Sequence, residues 1–228
     1  MQPHLPEHHP PWLLKGEAYV LNYWLNPYLL RQSSPLKFSF SRFGRMVQVI
    51  LVRYSDTPFG AYDELFILDH SLMSKRCMSA IPKILVSTPT SISSSKQLWG
   101  IHKELAEFHW EDNGHLSHCT IHYQHKQLRI GLKRTKQARS FYINSHHLPK
   151  AMLTIGQYRD NQYYQFTPQF RGHISKLHQA EWHDHQKILP DFSKARYLQS
   201  FYTPDFQLLL PEAKIKHISA KLLNVQYP

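Results

Sequence analysis

The stretch from Met46 to Tyr54 constrains this chain more than any other. It is a near-continuous apolar run rich in β-branched residues (Val47, Val49, Ile50, Val52), consistent with a strand buried on both faces. The Ser55–Gly60 cluster breaks it, and Tyr62–Asp69 and Ile81–Ser87 read as two further strands. Upstream, Gly16–Leu25 is rich in Tyr, Val, Leu and Trp, as strands are. Downstream, Leu116, Cys119, Ile121 and Tyr123 are the less polar positions of one segment. Leu128, Ile130 and Leu132 alternate with Gln127, Arg129, Gly131 and Lys133 in the next. That pair predicts a hairpin with one wet face, joined around His125-Lys126. Arg159–Phe166, Gly172–Trp182 and Phe206–Leu210 supply more strands.

One helix is predicted. Pro89-Thr90-Ser91 and the serines at 93–95 offer capping oxygens before a stretch running to about His102. Residues 31–44, with serines, a proline and basic residues in no clear period, read as a connection with some short structure. Residues 1–11 read as an extended Pro/His-rich arm, and no composition shift divides 12–228, which is expected to be a single domain. The fold class expected is mainly β (α+β), mostly antiparallel, with a few short helices.

Composition excludes several classes. With 42% hydrophobic and 13% aromatic residues in 228, whole-chain disorder is out. Two cysteines, Cys77 and Cys119, are too few for a disulfide-stapled scaffold and form no CxxC pair. The opening residues carry Pro and His where a signal peptide needs an apolar stretch. The apolar stretch from Trp12 to Leu30 is broken by Lys15, Glu17, two asparagines and Pro27. A cytoplasmic protein with no membrane partner is the expectation. A net charge of +11 suits phosphate or small organic acids equally, so charge alone does not choose a partner.

The best nucleic-acid feature is the run Lys126, Arg129, Lys133, Arg134, Lys136 and Arg139, flanked by aromatics at 141–142. It matches no RNA- or DNA-binding module and reads as a solvated strand-to-loop face, so nucleic acid is not the expected partner. Of His115, His118, His122 and His125, His118 and His122 share the wet face of the predicted hairpin with Thr120 and Gln124, and the group has no HExxH pattern or recurring carboxylate. His183-Asp184-His185 has no nameable third ligand. No metal is expected. GxSxG, the P-loop and GxGxxG are absent from the sequence.

Two segments carry a resemblance. Pro58-Phe-Gly-Ala-Tyr62-Asp-Glu64 is similar to the turn-plus-strand segment ending in Tyr-x-Glu of the acetoacetate decarboxylase family. Lys96-Gln-Leu-Trp99-Gly-Ile101-His-Lys103-Glu-Leu-Ala106 resembles that family's helix and the lysine element that follows it. The spacing between them, and Leu208-Leu-Leu-Pro-Glu-Ala213, agree with the family too. The resemblance implies a β-barrel fold with short helices, Lys103 as a Schiff-base nucleophile, and Glu64 as the carboxylate of the Tyr-x-Glu element. It also implies Tyr62, Trp99 and Ile101 around the substrate, no separate cofactor, a small oxo-acid substrate and a homo-oligomer. Three positions depart from the family pattern: His102 stands where a proline precedes the lysine, Glu104 where a second lysine follows, and Gly16, beside Lys15, where an arginine is used.

The chemistry needs such a lysine. Decarboxylating a β-keto acid leaves a carbanion, and a protonated imine takes up that electron pair. The attacking amine must be neutral, while a free lysine has a pKa near 10.4. Desolvation or a neighbouring cation lowers it; activation of this kind is described for acetoacetate decarboxylase itself. An anion at position 104 would oppose it if it faced the pocket. Decarboxylation is the expected reaction. Aldol or dehydration chemistry through the same imine, and a non-catalytic small-acid-binding or basic interaction protein, are the alternatives.

Overall fold

The computed structural model describes residues 8–33, 36, 38, 41–70, 78–136 and 138–217. Residues 1–7 of the expected arm, Cys77 and parts of the 31–44 connection lie outside the described residues.

Four long strands, β1 (Trp12–Leu25), β2 (Arg45–Asp56), β3 (Tyr62–His70) and β4 (Ser79–Val86), pair in succession, each antiparallel to the next. Between β1 and β2 lies α1 (Pro27–Gln32), capped by Asn26 Oδ1 on the Leu29 amide at 2.9 Å. After β4 comes α2 (Thr90–Trp99), then the short β5 (Glu104–Leu105) and the meander β6 (Glu107–Asn113), β7 (Leu116–Tyr123) and β8 (Lys126–Arg134). The predicted hairpin is β7–β8, turning on Gln124 and His125, both at positive φ. Next are β9 (Ser140–Asn144), α3 (Lys150–Leu153), and the hairpin β10 (Ile155–Arg159) and β11 (Gln162–Phe166). The long β12 (Gln169–His183), β13 (Arg196–Tyr197), β14 (Ser200–Leu210) and β15 (Lys214–His217) complete the chain.

Among the described residues all fifteen strands belong to one sheet, whose main path runs β15-β11-β10-β4-β3-β2-β1-β14-β12-β8-β7-β6. Among the described residues this path is open, and β4 pairs in parallel with both β10 and β5. The β-rich architecture expected is thus present as one large mixed sheet, mainly antiparallel, whose main path does not close into a barrel. Side chains of β6 contact β2 and β3: Trp110 Nε1 donates to Asp63 Oδ1 at 3.1 Å, Arg53 reaches Asp112 at 2.9 Å, and the Arg53 guanidinium lies 5.0 Å over the Trp110 ring.

Alternation sorts the strand residues into two cores on opposite faces. The first holds Tyr19, Leu21, Val47, Val49, Leu51, Leu65, Ile67 and Leu85 against Cys119, Ile121, Leu128, Ile130 and Leu132 of the meander. The second holds Trp12, Leu14, Val52, Tyr54, Tyr62, Ile84 and Val86 against α2 and the segment after it, through Trp99 and Ile101. This double covering is what the Met46–Tyr54 run called for. Each aliphatic side chain fully buried in this way contributes about 1.5–3 kcal/mol.

The basic run is partly neutralised: Arg129 pairs with Glu111 at 3.0 Å, and Arg134 bonds the Gly114 carbonyl and lies 5.0 Å over the Tyr202 ring. His122 is exposed on β7, edge-on to His109 at 5.5 Å. Among the described residues no group of three His, Cys, Asp or Glu side chains could hold a metal ion, and no helix is long and apolar enough to cross a membrane.

Candidate active site

Helix α2 ends earlier than the sequence predicts. Gly100 takes the left-handed conformation (φ 66°), and its amide and that of Ile101 close the last turn onto Lys96 O and Ser95 O. A methyl group there would also lie 2.5 Å from the Tyr164 ring. At the other end Pro89 precedes the helix with no side-chain capping bond, so the expected Ser/Thr cap is not used.

Lys103 thus sits beyond the helix, in extended chain that docks on β4 through β5 and the Ala106 amide to Val86 O at 2.9 Å. Extended backbone alternates sides. His102 and Leu105 are exposed, while Ile101, Lys103 and Ala106 point inward. Glu104 is half-buried and turns away from Lys103. It takes Lys83 Nζ at 2.6 Å and the Tyr123 hydroxyl, and these partners hold its carboxyl below the ordinary range against a desolvation cost that pushes the other way. The anion that replaces the second lysine is therefore directed elsewhere.

Lys103 meets Glu64 instead. Nζ donates to Glu64 Oε2 at 2.7 Å, and both side chains are only 7% exposed. Glu64 sits at the centre of the sheet, opposite Val52 on β2 and Val86 on β4, so three strands fix its position. Burying two charges costs several kcal/mol each and requires that their remaining polar atoms be satisfied. Two tyrosines do this: Tyr54 donates to Glu64 Oε1 and Tyr62 to Oε2, each at 3.4 Å. The Tyr62 hydroxyl is also 3.5 Å from Lys103 Nζ. Burial, then the Glu64 charge, pushes both hydroxyls well above the usual tyrosine range, so they remain donors.

The ring centroids of Tyr54 and Tyr62, direct cross-strand partners, lie 4.7 Å apart. Both line an open cleft of about 920 Å³ at the ends of β1, β2, β3, β12 and β14, with Lys15, Gly16, Arg53, Arg171, Asp205 and Phe206 among its other walls. Lys103 and Glu64 are not among the lining residues. Tyr54 and Tyr62 hydrogen-bond Glu64 and also border the cleft, which does not reach the ion pair. Ladder slips shape this cleft: Ser55 is extra in β2 against Lys15–Gly16, and β14 bulges at Pro204–Asp205 against β1 and at Thr203–Pro204 against β12. Gly16 is required by the tight crossing, since a methyl there would lie 2.1 Å from the Arg53 carbonyl oxygen.

Of the residues singled out from the sequence, Lys103, Glu64 and Tyr62 come together. Trp99 and Ile101 do not border the cleft. Trp99 is buried edge-on to Trp12 at 4.4 Å, with Nε1 donating to Pro211 O at 2.7 Å, and Ile101 packs in the same core. Tyr54 and Arg171 went unnoticed in the sequence. Tyr54 is distinguished only by its place opposite Tyr62, which depends on strand register.

No family model and no curated protein matches the sequence. Solved structures do match. The chain has the fold of acetoacetate decarboxylases and enzymes like them. The acetoacetate decarboxylase of Legionella pneumophila superposes with a TM-score of 0.64 over 94% of this chain and 93% of its own, at 12% identity. An acetoacetate decarboxylase-like enzyme of Sphingomonas wittichii gives 0.62 over 96% and 98%, at 11% identity. The enduracididine biosynthesis enzyme MppR gives 0.63 over 94% and 91%, at 12% identity, and has also been solved in complex with pyruvate.

Proposed function

We propose that this protein is an acetoacetate decarboxylase-like enzyme in which Lys103 forms an imine with a small oxo acid. The observation that carries the reading is the buried 2.7 Å contact between Lys103 Nζ and Glu64 Oε2 in this fold. Moving one proton across that contact yields a neutral amine and a neutral carboxylic acid without changing the net charge of a dry site. The amine then attacks the substrate carbonyl, and the Glu64 proton leaves with the carbonyl oxygen as water, giving the protonated imine and the Glu64 carboxylate. For a β-oxo acid, the bond to the carboxylate carbon breaks, CO2 departs, and the electron pair moves onto the imine nitrogen as an enamine. A proton from water, relayed by Glu64 as the nearest carboxylate, reaches the enamine carbon, and water hydrolyses the resulting imine to the ketone and the protonated lysine. The imine is itself the electron sink, so the step calls for no separate cofactor. Lys103 does not border the open cleft, so access requires movement of the side chains that bury it.

Borohydride reduction in the presence of β-oxo and 2-oxo acids tests this. The expected result is a covalent adduct located on Lys103 by mass spectrometry, with CO2 released from the β-oxo acids and no adduct in Lys103→Arg. An adduct without CO2 would point to aldol or dehydration chemistry through the same imine. Absence of any adduct across the panel would overturn the reading in favour of non-catalytic binding of a small acid. One observation favours that second reading: the open cleft stops at Tyr54 and Tyr62, short of the lysine.

A further inference from the structure

One buried hydroxyl beside the ion pair has no partner. Ser91, the second residue of α2, is fully buried (0% exposed), and its Oγ makes no hydrogen bond among the described residues. The sequence offers Ser91 as a capping oxygen, yet α2 begins without a side-chain cap, and Ser91 is buried with Ser94 and Ser95 one turn further on.

Its position follows from the sheet. Val86, at the end of β4, lies opposite Glu64. The next residue is fastened to Asp63 twice: the Ser87 amide donates to Asp63 O at 2.9 Å, and the Asp63 amide donates to Ser87 Oγ at 2.8 Å. From there the chain turns into α2, which packs in the same core as Tyr54 and Tyr62. Ser91 Oγ is near enough to the Tyr62 hydroxyl to offset part of the rise in its pKa, yet no hydrogen bond of ordinary geometry joins them. An unsatisfied buried hydroxyl at such a place calls for an acceptor.

The other donors are committed. Tyr54 and Tyr62 give their protons to Glu64, and Lys103 Nζ donates to Glu64 and to the Tyr62 oxygen. The cleft's cations face the other way. Phe206, Gly16, Tyr54 and Tyr62 form one row across the strands. Arg171, which donates to Gln207 Oε1 at 3.0 Å, and Lys15, paired with Asp56 at 2.7 Å, both lie in the neighbouring row with Gln207. Neighbouring rows project from opposite faces, so neither cation reaches the side of the sheet that carries Lys103.

We infer that Ser91 is a catalytic residue in imine formation, its hydroxyl donating to the carbonyl oxygen of the substrate as Lys103 attacks the carbon. This rests on the imine reading and adds a step to it. Addition of the neutral amine moves the carbonyl π pair onto oxygen, which stays negative until it takes a proton from the new ammonium. Ser91 Oγ holds the oxygen through this interval, and the uncapped N-terminus of α2 favours negative charge there. The carbinolamine so formed is neutral. The Glu64 carboxylic acid then protonates its hydroxyl, the C–O bond breaks and water departs. The nitrogen lone pair becomes the second bond of the protonated imine, Glu64 is left as the carboxylate, and Ser91 keeps its own proton throughout.

Borohydride trapping with the β-oxo and 2-oxo acid panel, acetoacetate and pyruvate included, tests this. With borohydride in excess, reduction outruns imine hydrolysis and the labelling rate is the rate of imine formation. Ser91→Ala is expected to lower the saturating rate on Lys103 about tenfold or more, with less than a threefold change in the half-saturating acid concentration. Ser91→Cys, a weaker donor, should fall between. Because Oγ has no partner in the free protein, the urea midpoint of Ser91→Ala should stay the same or rise. An unchanged labelling rate in Ser91→Ala, or a loss matched by a lower urea midpoint, would overturn the inference while leaving the imine reading in place. No label on Lys103 of the unmodified protein would remove the imine reading, and this role of Ser91 with it.

Discussion

Strand β3 carries two buried carboxylates, Glu64 and Asp69, which strand alternation places on opposite faces of the sheet. Each forms a short ion pair: Glu64 with Lys103 at 2.7 Å, Asp69 with Arg45 at 2.6 Å. In distance and burial the pairs are nearly the same. They differ in the base. A guanidinium is protonated at any working pH and cannot become a nucleophile, whereas an ammonium can pass its proton to its partner and attack a carbonyl. The Arg45–Asp69 pair joins two adjacent strands, and the Lys103–Glu64 pair ties extended chain after a helix to the sheet centre beside two tyrosines. Burial of charge therefore does not mark a reactive site by itself; the identity of the base and the neighbouring donors do.

Exchanging the bases is the strongest way to break the comparison. Lys103→Arg preserves the positive charge and is expected to abolish borohydride trapping entirely, whereas Arg45→Lys should leave the adduct on Lys103. Mass spectrometry of the labelled peptides checks both. Next in size, Asp69→Ala removes the 2.6 Å carboxylate partner of the buried Arg45 and should cost about 3–5 kcal/mol in urea unfolding. Urea midpoints for Asp69→Ala and Lys103→Met should differ, because Tyr54 and Tyr62 still serve Glu64 when the lysine is gone.

A third test is a pH titration at the Arg45 end. His70 accepts from Ser79 Oγ and donates to Gln48 Oε1, at 2.8 and 2.6 Å when its proton sits on Nε2. Burial first, and then the Arg45 charge, lower its pKa from 6.5 to about 4. The unfolded chain takes up this proton first as pH falls. The stability linked to His70 is thus present above about pH 6.5 and is lost between there and about pH 4, roughly 3 kcal/mol in all. Urea midpoints measured from pH 7 to 4 should show this slope, and His70→Gln should flatten it. The smallest effect is expected at Glu104. Because that side chain faces Lys83, Glu104→Gln should change stability by about 1 kcal/mol or less and leave the labelling rate of Lys103 within about threefold.

Much of the strand content was legible in the sequence because it follows from periodicity. The apolar 46–54 run and the alternation on either side of Gln124-His125 needed no tertiary information. Which strands end the sheet did not follow from such patterns, because pairing between strands distant in sequence is set by tertiary contacts. Strands β6 and β9 were missed because Glu107–Asn113 is mostly polar and Ser140–Asn144 is short, both are largely exposed, and their pairing comes from neighbours. At the site, the resemblance picked out Lys103, Glu64 and Tyr62, and the structure brings these three together. Gly100 was an available signal that the helix stops before Lys103, and with it that Glu104 turns outward. Arg171 was not legible, since nothing in its segment distinguishes a guanidinium facing an amide from one facing a carboxylate.

The ladder slips at Ser55 and at Pro204–Asp205 give the cleft an unusual kind of heritability. Its outline is set by how many residues each strand contains, more than by which residues they are. Across β14 the slip already reverses parity, with Tyr202 packing in the first core and Phe206, Leu208 and Leu210 in the second. Point substitutions along the walls can retune what the cleft accepts. Deleting Asp205 would leave Pro204 alone opposite Glu17, so Phe206, Leu208 and Leu210 would keep their face and only the bulge would be lost. Diversification by substitution is therefore open to this scaffold, while a single-residue deletion at either place would straighten a wall of the cleft in one step.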